Sequence, residues 1–462
     1  MKLFIRQIKR RIMLVMLVTI TILIANCGSS SQLTQVVAFS DVHFNPFYDT
    51  TLFDALVAAP ADEWESLFEG SSVKALSTWG QEANYPLLKQ AVTTICTQAD
   101  KASFLLFTGD ILGHGFNSAF YELYGSEDET ALRNFILKTV TFFALNVRSV
   151  CGERPIAFIL GNNDAYEGDY RLLPDSNFLA DTANLFSQTL LMGKVDATEF
   201  AETYVAGGYY ATTLLQANLM LIGMNTVFFS PRASEESAAA ASTQISWLTT
   251  KLAQARASGL RVWLLLHIPP GIDIFSTAHS FMDESGHITD ATTMWREELQ
   301  TQMTETLAEY GDVISATFGA HTHMDEYRLS ISSDTSHYGS VVVTPAISPL
   351  FGNNPAFKVF TANTDSWLLS DYTSWINPLE EDESIFSTSY IFSDAYGISS
   401  LLEDALVELT GELADNIQRA TYVEHYYSEH DDSNPIDDTN WPLYKCGISK
   451  MTKSEFMTCV ND

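Results

Sequence analysis

Five short apolar runs along the chain each end in side chains that can bind a metal. Val36-Val-Ala-Phe39 is followed by Ser40-Asp41-Val42-His43. Phe104-Leu-Leu-Phe107 is followed by Thr108-Gly109-Asp110 and, four residues further on, His114. Ile156-Ala-Phe-Ile-Leu160 runs into Gly161-Asn162-Asn163-Asp164. Val262-Trp-Leu-Leu-Leu266 runs into His267-Ile-Pro-Pro-Gly271, and Ile314-Ser-Ala-Thr-Phe318 into Gly319-Ala320-His321-Thr322-His323. Short, uninterrupted apolar runs read as buried strands. A glycine just after a strand lets the backbone turn sharply and approach another group closely. In open α/β sheets, ligands bind outside the carboxyl ends of the strands. Five strand ends carrying Asp, Asn and His are therefore expected to converge on one rim.

The segments between these runs have helical spacing. Helices are predicted at Leu87–Thr97, Glu129–Val147, around Phe178–Leu191, at Ser242–Ala257 (apolar at Ile245, Leu248 and Leu252), at Glu297–Tyr310 and at Leu401–Ala420. Further strands are predicted at Leu219–Met224 and Val341–Val343, and a hairpin-like region starts at Gly207-Gly-Tyr-Tyr210. Residues 49–90 are mixed and polar, with turn signals at Trp79-Gly80 and Tyr85-Pro86. Strands alternating with helices predict an α/β architecture with covered sheet faces. The character changes past residue 376. A main domain is therefore expected at 35–375 and a small helical C-terminal subdomain at 376–462, with an exposed acidic loop at Asp431–Asp438.

With 462 residues, 46% of them hydrophobic, the chain can bury one large domain and an accessory one. Its net charge of −32, from 57 acidic and 25 basic residues, weighs against nucleic-acid binding. It also weighs against docking on anionic lipid. Solubility is the plain meaning of such acidity, and divalent cations are compatible with it.

The N-terminus reads as a targeting segment. Lys2, Arg6, Lys9, Arg10 and Arg11 precede an apolar run from Ile12 to Ala25. That run is short for a membrane span of about 20 residues and suits a signal peptide over residues 1–26. Ile24-Ala25-Asn26-Cys27 resembles a bacterial lipoprotein signal, with Cys27 lipidated and residues 27–34 as a flexible tether. Ordinary secretion, with cleavage near Ala25 or Asn26, and a retained anchor are the alternatives. Export to the periplasm, the outer membrane or the medium is expected, with membrane contact only through the lipid. Cys96, Cys151, Cys446 and Cys459 then remain, an even number that suits an oxidising compartment. Three pairings are open. Cys446–Cys459 with Cys96–Cys151 is the expected set, and structural zinc is the alternative.

The chemistry expected at the rim begins with Asp110. A carboxylate has two oxygens and can bridge two cations about 3.5–4 Å apart, the spacing of two-metal hydrolysis. His321 and His323 alternate, so on a strand both would face one side. Taken singly, a Gly-Asp turn or a His at a strand end is usually structural. His279, His287, His337, His425 and His430 have no such company and read as surface residues. Trp79, Trp247, Trp263 and Trp295 read as core rather than substrate platforms.

Taken in order, Asp41-X-His43, Gly109-Asp110, Gly161-Asn162, His267 and Gly319-X-His321-X-His323 resemble the ligand set of the calcineurin-like metallophosphoesterases. Gly109-Asp110-X-X-X-His114, Asn225-Thr226, His267-Ile-Pro-Pro-Gly271 and Asn354-Pro355-X-Phe357 resemble the acid sphingomyelinase-like phosphodiesterase branch, from about Val36 to the C-terminus. Cys446 and Cys459 look like the closing disulfide of that branch. The resemblance implies a four-layer α/β/β/α sandwich. It implies two divalent metal ions, zinc by preference. Asp41, His43, Asp110 and His323 would hold one, and Asp110, Asn162, His267 and His321 the other. It also implies His114 as general acid for the leaving group. Asn163, Asp164 and Tyr166 are expected to line the pocket.

This chain has Asn163 where the family has His, and an amide cannot act as a proton donor in acid catalysis. The Gly-Asn-Asn-Asp sequence also resembles endopolyphosphatases. The expected substrate is therefore a small phosphate ester: a nucleotide, a phospholipid head group or polyphosphate. A phosphomonoesterase is one alternative, and a non-catalytic binding lipoprotein on the same scaffold is another.

Overall fold

The computed structural model describes residues 33–213, 218–330, 339–380, 384–430 and 434–462. The targeting segment, Cys27, His337 and the start of the acidic loop lie outside the described residues. Twelve strands are formed among the described residues. In chain order they are β1 (Leu33–Phe39), β2 (Ala102–Phe107), β3 (Ile156–Phe158), β4 (Tyr210–Thr212), β5 (Leu219–Gly223) and β6 (Arg261–Leu265). They continue as β7 (Ile314–Gly319), β8 (Tyr327–Ser330), β9 (Gly339–Val343), β10 (Ala356–Asn363), β11 (Leu369–Ile376) and β12 (Ser387–Ile391).

The strands make two six-stranded sheets, ordered β12-β11-β10-β1-β2-β3 and β4-β5-β6-β7-β9-β8. In the first sheet β1, β2 and β3 are parallel, and β10, β11 and β12 extend it antiparallel. In the second sheet β5, β6, β7 and β9 are parallel between antiparallel edges β4 and β8. Strands covered on both faces read as continuous apolar runs, which is why the central ones are visible in the sequence. The sheets pack face to face. Trp263 of β6 meets Phe104 of β2 with ring centroids 5.6 Å apart, and Phe318 of β7 meets Phe360 of β10 at 5.1 Å.

Helices cover both outer faces. Phe143, on the helix Glu129–Cys151, packs on Phe107 of β2 at 5.0 Å. The helix Glu235–Ser258 lies on β6, with Glu297–Glu309 beside it. This is the expected four-layer sandwich. Cys96–Cys151 joins the C-terminal ends of the helices Tyr85–Gln98 and Glu129–Cys151, and Cys446–Cys459 joins the last two helices. No helix among the described residues is long and apolar enough to cross a membrane.

Several elements depart from expectation, each for a local reason. Tyr85-Pro86, read as a turn, starts a helix, because Asn84 accepts from the Leu87 N–H and proline suits the first helical turn. The helix expected over 401–420 is two, Leu402–Glu412 and Asn416–Tyr426, because the Asp415 side chain caps a new start. Residues 49–90 hold the short helices Phe53–Ala58 and Trp64–Gly70. The C-terminal region is helical, but β12 pairs with β11 at the edge of the first sheet, so the chain re-enters that sheet after residue 376. His425 and His430 are buried rather than exposed. They stack on Tyr390 and Trp79 with centroids 3.8 and 3.9 Å apart.

Candidate metal centre

The ends of both sheets meet along one rim. Asp41 and His43 follow β1, Asp110 follows β2, Asn162 follows β3, His267 follows β6, and His321 and His323 follow β7. Backbone hydrogen bonds weld these turns together. The Asp41 N–H donates to Gly109 O (2.9 Å) and the Ala320 N–H to His267 O (2.9 Å). The His321 N–H donates to Asp41 Oδ2 at 3.2 Å. Five of these residues have left-handed backbone, with φ of 46° at Asp41, 42° at His43, 59° at Asp110, 72° at His321 and 68° at His323. Non-glycine residues held in sparsely populated conformations cost on the order of 1–3 kcal/mol each, and such strain gathers at functional sites. A Cβ on Gly109 would lie 2.7 Å from Gly161 N and 2.8 Å from His267 Nδ1. These glycines are thus required by close approach. The His321–His323 alternation does not act through a strand, as β7 ends at Gly319 and both histidines sit in the turn beyond it. They consequently reach two different groups.

The first group is Asp41, His43 and His323. His43 Nε2 lies 3.0 Å from His323 Nε2, and 3.8 Å from Asp41 Oδ1. The second is Asp110, His267 and His321. His267 Nε2 lies 3.3 Å from Asp110 Oδ2 and 3.0 Å from Asn162 Oδ1. Asp110 Oδ2 is also 3.5 Å from His43 Nε2, so one carboxylate oxygen reaches both groups.

The hydrogen positions follow from the partners. His43 Nδ1 is 2.9 Å from Leu112 O, and His267 Nδ1 is 2.8 Å from Thr108 O. A carbonyl only accepts, so both Nδ1 atoms carry hydrogen and both Nε2 atoms face the rim, where a neutral ring offers its lone pair. Asn162 donates its amide to Asp169 Oδ1 (2.7 Å), which turns its carbonyl oxygen towards His267. Asp41 Oδ1 and His323 Nδ1 are buried without a hydrogen-bond partner. Carboxylate oxygens, an amide oxygen and imidazole Nε2 atoms thus converge on two points, and a cation that displaces the Nε2 protons is what such a donor set accepts. Carboxylate oxygen, amide oxygen and imidazole nitrogen are donors used by zinc and similar divalent ions.

Electrostatics separate the ring members. Burial pushes the Asp41 carboxyl up to about 7. Burial, with His114 nearby, pushes His43 down to about 3. Burial would lower His267 too, but Asp110 beside it raises it to about 9. Asp110 is held well below the usual carboxylate range, because His267 and His43 outweigh its own burial.

The three residues expected to line the pocket do not line it. Asp164 is fully buried and accepts from the backbone N–H groups of Asp110, Ile111, Leu112 and Gly161. It clamps the β2 and β3 turns together. Asn163 turns inward and donates its backbone N–H to Asp110 Oδ1 (2.8 Å) and its amide to Asp110 Oδ2 (3.1 Å). Tyr166 is buried against Phe178, and its hydroxyl donates to Asp181.

A cavity of about 340 Å3 opens above the rim, with His114, Tyr170, Arg232 and Phe351 among its walls. The His114 ring stacks on His43 (4.3 Å between centroids), and its Nδ1 lies 3.0 Å from Glu82 Oε1. Burial pulls His114 down, yet the Glu82 bond and Asp110 raise it above its ordinary value. Glu82, Asp169, Tyr170 and Arg232 were not visible as site residues in the sequence. They sit in loops without periodicity, and only the fold brings them to the rim.

This rim at the strand ends of a two-sheet sandwich is that of a phosphoesterase. Residues 34–325 match the calcineurin-like phosphoesterase family, and the chain belongs to it. The cyclic GMP-AMP phosphodiesterase SMPDL3A of Homo sapiens is 24% identical over 438 residues, covering 91% of this chain and 88% of that protein. The sphingomyelinase phosphodiesterase D of Dictyostelium discoideum is 23% identical over 482 residues, covering 97% of this chain and 98% of that one. A solved dimetal phosphatase from Danio rerio is 11% identical, with a TM-score of 0.42, covering 77% of this chain and 99% of that one. The chain is thus homologous to acid sphingomyelinase-like phosphodiesterases.

Proposed function

We propose that this chain is an exported phosphodiesterase that uses two divalent ions, zinc by preference, to cleave phosphodiester or pyrophosphate bonds in small phosphate esters. The observation that carries the reading is the convergence of two Asp/His groups on Asp110, whose Oδ2 reaches both His43 and His267, with Asp41 Oδ1 and His323 Nδ1 buried without hydrogen-bond partners. Asp41, His43, Asp110 and His323 are assigned to one ion, and Asp110, Asn162, His267 and His321 to the other. Such a pair, when bound, activates water and neutralises charge developing on the phosphoryl oxygens. The protein's own part is to fix and orient. Asp164 and Asn163 hold the Asp110 loop and its carboxylate. Leu112 O and Thr108 O set the ring orientation of His43 and His267. His114, on the cavity wall and held by Glu82, is placed to protonate the leaving oxygen. The relatives named as phosphodiesterases support the diester reading. Two disulfides suit an oxidising compartment and support export; lipidation at Cys27 would make the enzyme surface-anchored.

The deciding experiment is phosphorus-31 NMR on residues 35–462 loaded with zinc and given sphingomyelin, ATP and polyphosphate together. AMP, ADP or shortened polyphosphate is the expected outcome, because Asn163 leaves alkoxide departure poorly assisted. Phosphocholine alone would place the enzyme among sphingomyelin lipases. No turnover of any of the three, nor of bis(4-nitrophenyl) phosphate, would sink the reading.

A further inference from the structure

An exposed arginine stands on the cavity wall outside both candidate ion groups. Arg232 follows the β5 turn, and its side chain is 64% exposed. Its guanidinium carbon lies over the Tyr170 ring, 3.9 Å from the centroid. Its Nη2 donates to Asp169 Oδ2 at 3.1 Å. The other Asp169 oxygen accepts from Asn162 Nδ2 at 2.7 Å, and the Tyr170 hydroxyl lies 3.1 Å from His321 Nε2. The two groups that fix Arg232 are thus the two that contact Asn162 and His321. An exposed arginine in so defined a pose has already lost much of its side-chain freedom, which lowers the entropic cost of binding.

The rest of the wall explains why the position matters. The other arginine lining the cavity, Arg328, is buried and paired with Glu326 Oε1 (3.0 Å) and Gly447 O (2.7 Å). Asp110, Asp169 and Asp273 make the remainder acidic. An anionic group reaching beyond the rim meets its counter-charge at Arg232. The guanidinium carries five N–H donors, and its planar fork suits phosphate oxygens.

We propose that Arg232, set over Tyr170 and tied to Asp169, is a specificity-determining residue that binds a second phosphate of the substrate, next to the one under attack. The proposal rests on the phosphoesterase reading of the rim and sharpens it towards phosphate–phosphate bonds. Asn163 points the same way by an independent route: a departing phosphate needs less protonation than an alkoxide. Water adds to one phosphorus and one of its protons passes to solvent. The bridging P–O bond breaks, and the second phosphate leaves with the electron pair, its charge met by Arg232. A cationic head group such as choline would instead face a like charge there.

Two measurements on the zinc-loaded protein test this, using Arg232→Ala and Arg232→Lys. In the first, KM is measured for ATP and for bis(4-nitrophenyl) phosphate, which has a single phosphate. Arg232→Ala should raise the KM for ATP at least about tenfold more than that for the diester. Arg232→Lys should fall between, keeping the charge but losing the planar fork. The second measurement is calorimetric titration with inorganic pyrophosphate and with orthophosphate. The alanine variant should lose its preference for pyrophosphate by about the same factor. Equal changes for both members of either pair would overturn the proposal. Should the wild type hydrolyse nothing, the phosphoesterase reading fails in the first experiment, while the calorimetric ratio still decides whether Arg232 reads a second phosphate.

Discussion

The chain crosses from one buried polar cluster to another within a few residues, and the two differ in kind. His321 and His323 belong to the rim, where two carboxylates and four imidazoles converge with no Lys or Arg among the described residues paired to the carboxylates. Asp325 and Glu326 follow at once, and here each charge has an opposite partner. Lys358 Nζ lies 2.7 Å from Asp325 Oδ1 and donates to Val343 O (2.8 Å). Tyr390 and Ser374 hydroxyls donate to Asp325 Oδ2 at 2.9 and 3.1 Å. Arg328 Nη2 lies 3.0 Å from Glu326 Oε1. Burial alone therefore does not mark a functional site, since most side chains of both clusters are buried. The mark is carboxylates and imidazoles gathered without Lys or Arg to pair them, in a backbone held at positive φ.

The sharpest way to break this contrast is to change one carboxylate in each cluster. Asp110→Asn should reduce turnover by at least about a thousandfold, since preorganised charge at the reacting centre is lost. Metal analysis should find fewer than two zinc ions per chain, while urea unfolding of the metal-free protein changes little. An active, zinc-replete variant would end the assignment of Asp110. Lys358→Met should do the reverse. Leaving Asp325 buried without its partner should cost about 3–5 kcal/mol in urea unfolding, with zinc content and turnover per folded molecule preserved. Replacing the pair together, as Asp325→Leu with Lys358→Met, should cost less than either change alone, because no unpaired charge then remains.

Zinc itself should have a smaller and selective effect. A ligand bound only by the folded state stabilises by about 2.7 kcal/mol at one hundred times its dissociation constant. Thermal unfolding with and without chelator should show such an increment for the wild type and for Lys358→Met. Asp110→Asn should lose most of it. An increment of equal size in Asp110→Asn would mean that zinc binds elsewhere.

How much of this was legible in the sequence follows from the same contrast. Asp41, Asp110, Asn162, His267 and the His321–His323 pair each follow an apolar run, so position along a strand announces them. The strands of the paired cluster were harder to see. Lys358 interrupts the apolar pattern of β10, and its pairing with Asp325, 33 residues earlier in the chain, is invisible to local periodicity. The β11 strand, Leu369-Ser-Asp-Tyr-Thr-Ser-Trp-Ile376, carries no clean alternation of apolar and polar positions, since Ser374 is buried while Trp375 is half-buried. Being next to Asn162 in sequence does not by itself place Asp164 and Tyr166 on the cavity, and the turn sends both side chains into the interior. Arg232, Tyr170 and Glu82 owe their place to contacts between loops, which carry no spacing rule.

The finest test lies inside the rim cluster, at the residue that already has its hydrogen bonds. Asn163 donates twice to Asp110 and offers no titrating proton. Histidine there could still donate its backbone N–H to Asp110 and would add a second acid beside His114. Asn163→His should therefore raise turnover of esters with alkoxide leaving groups by up to about tenfold, at the low end of general-acid effects because His114 is already present. Turnover of ATP or 4-nitrophenyl esters should change much less, as those leaving groups depart with little help. The measurement is the ratio of kcat values across leaving groups at constant zinc content. A uniform gain would mean that the substitution only retunes the charge on Asp110. A loss of zinc would mean that the Asn163 side-chain bond to Asp110 is needed to hold the carboxylate in place.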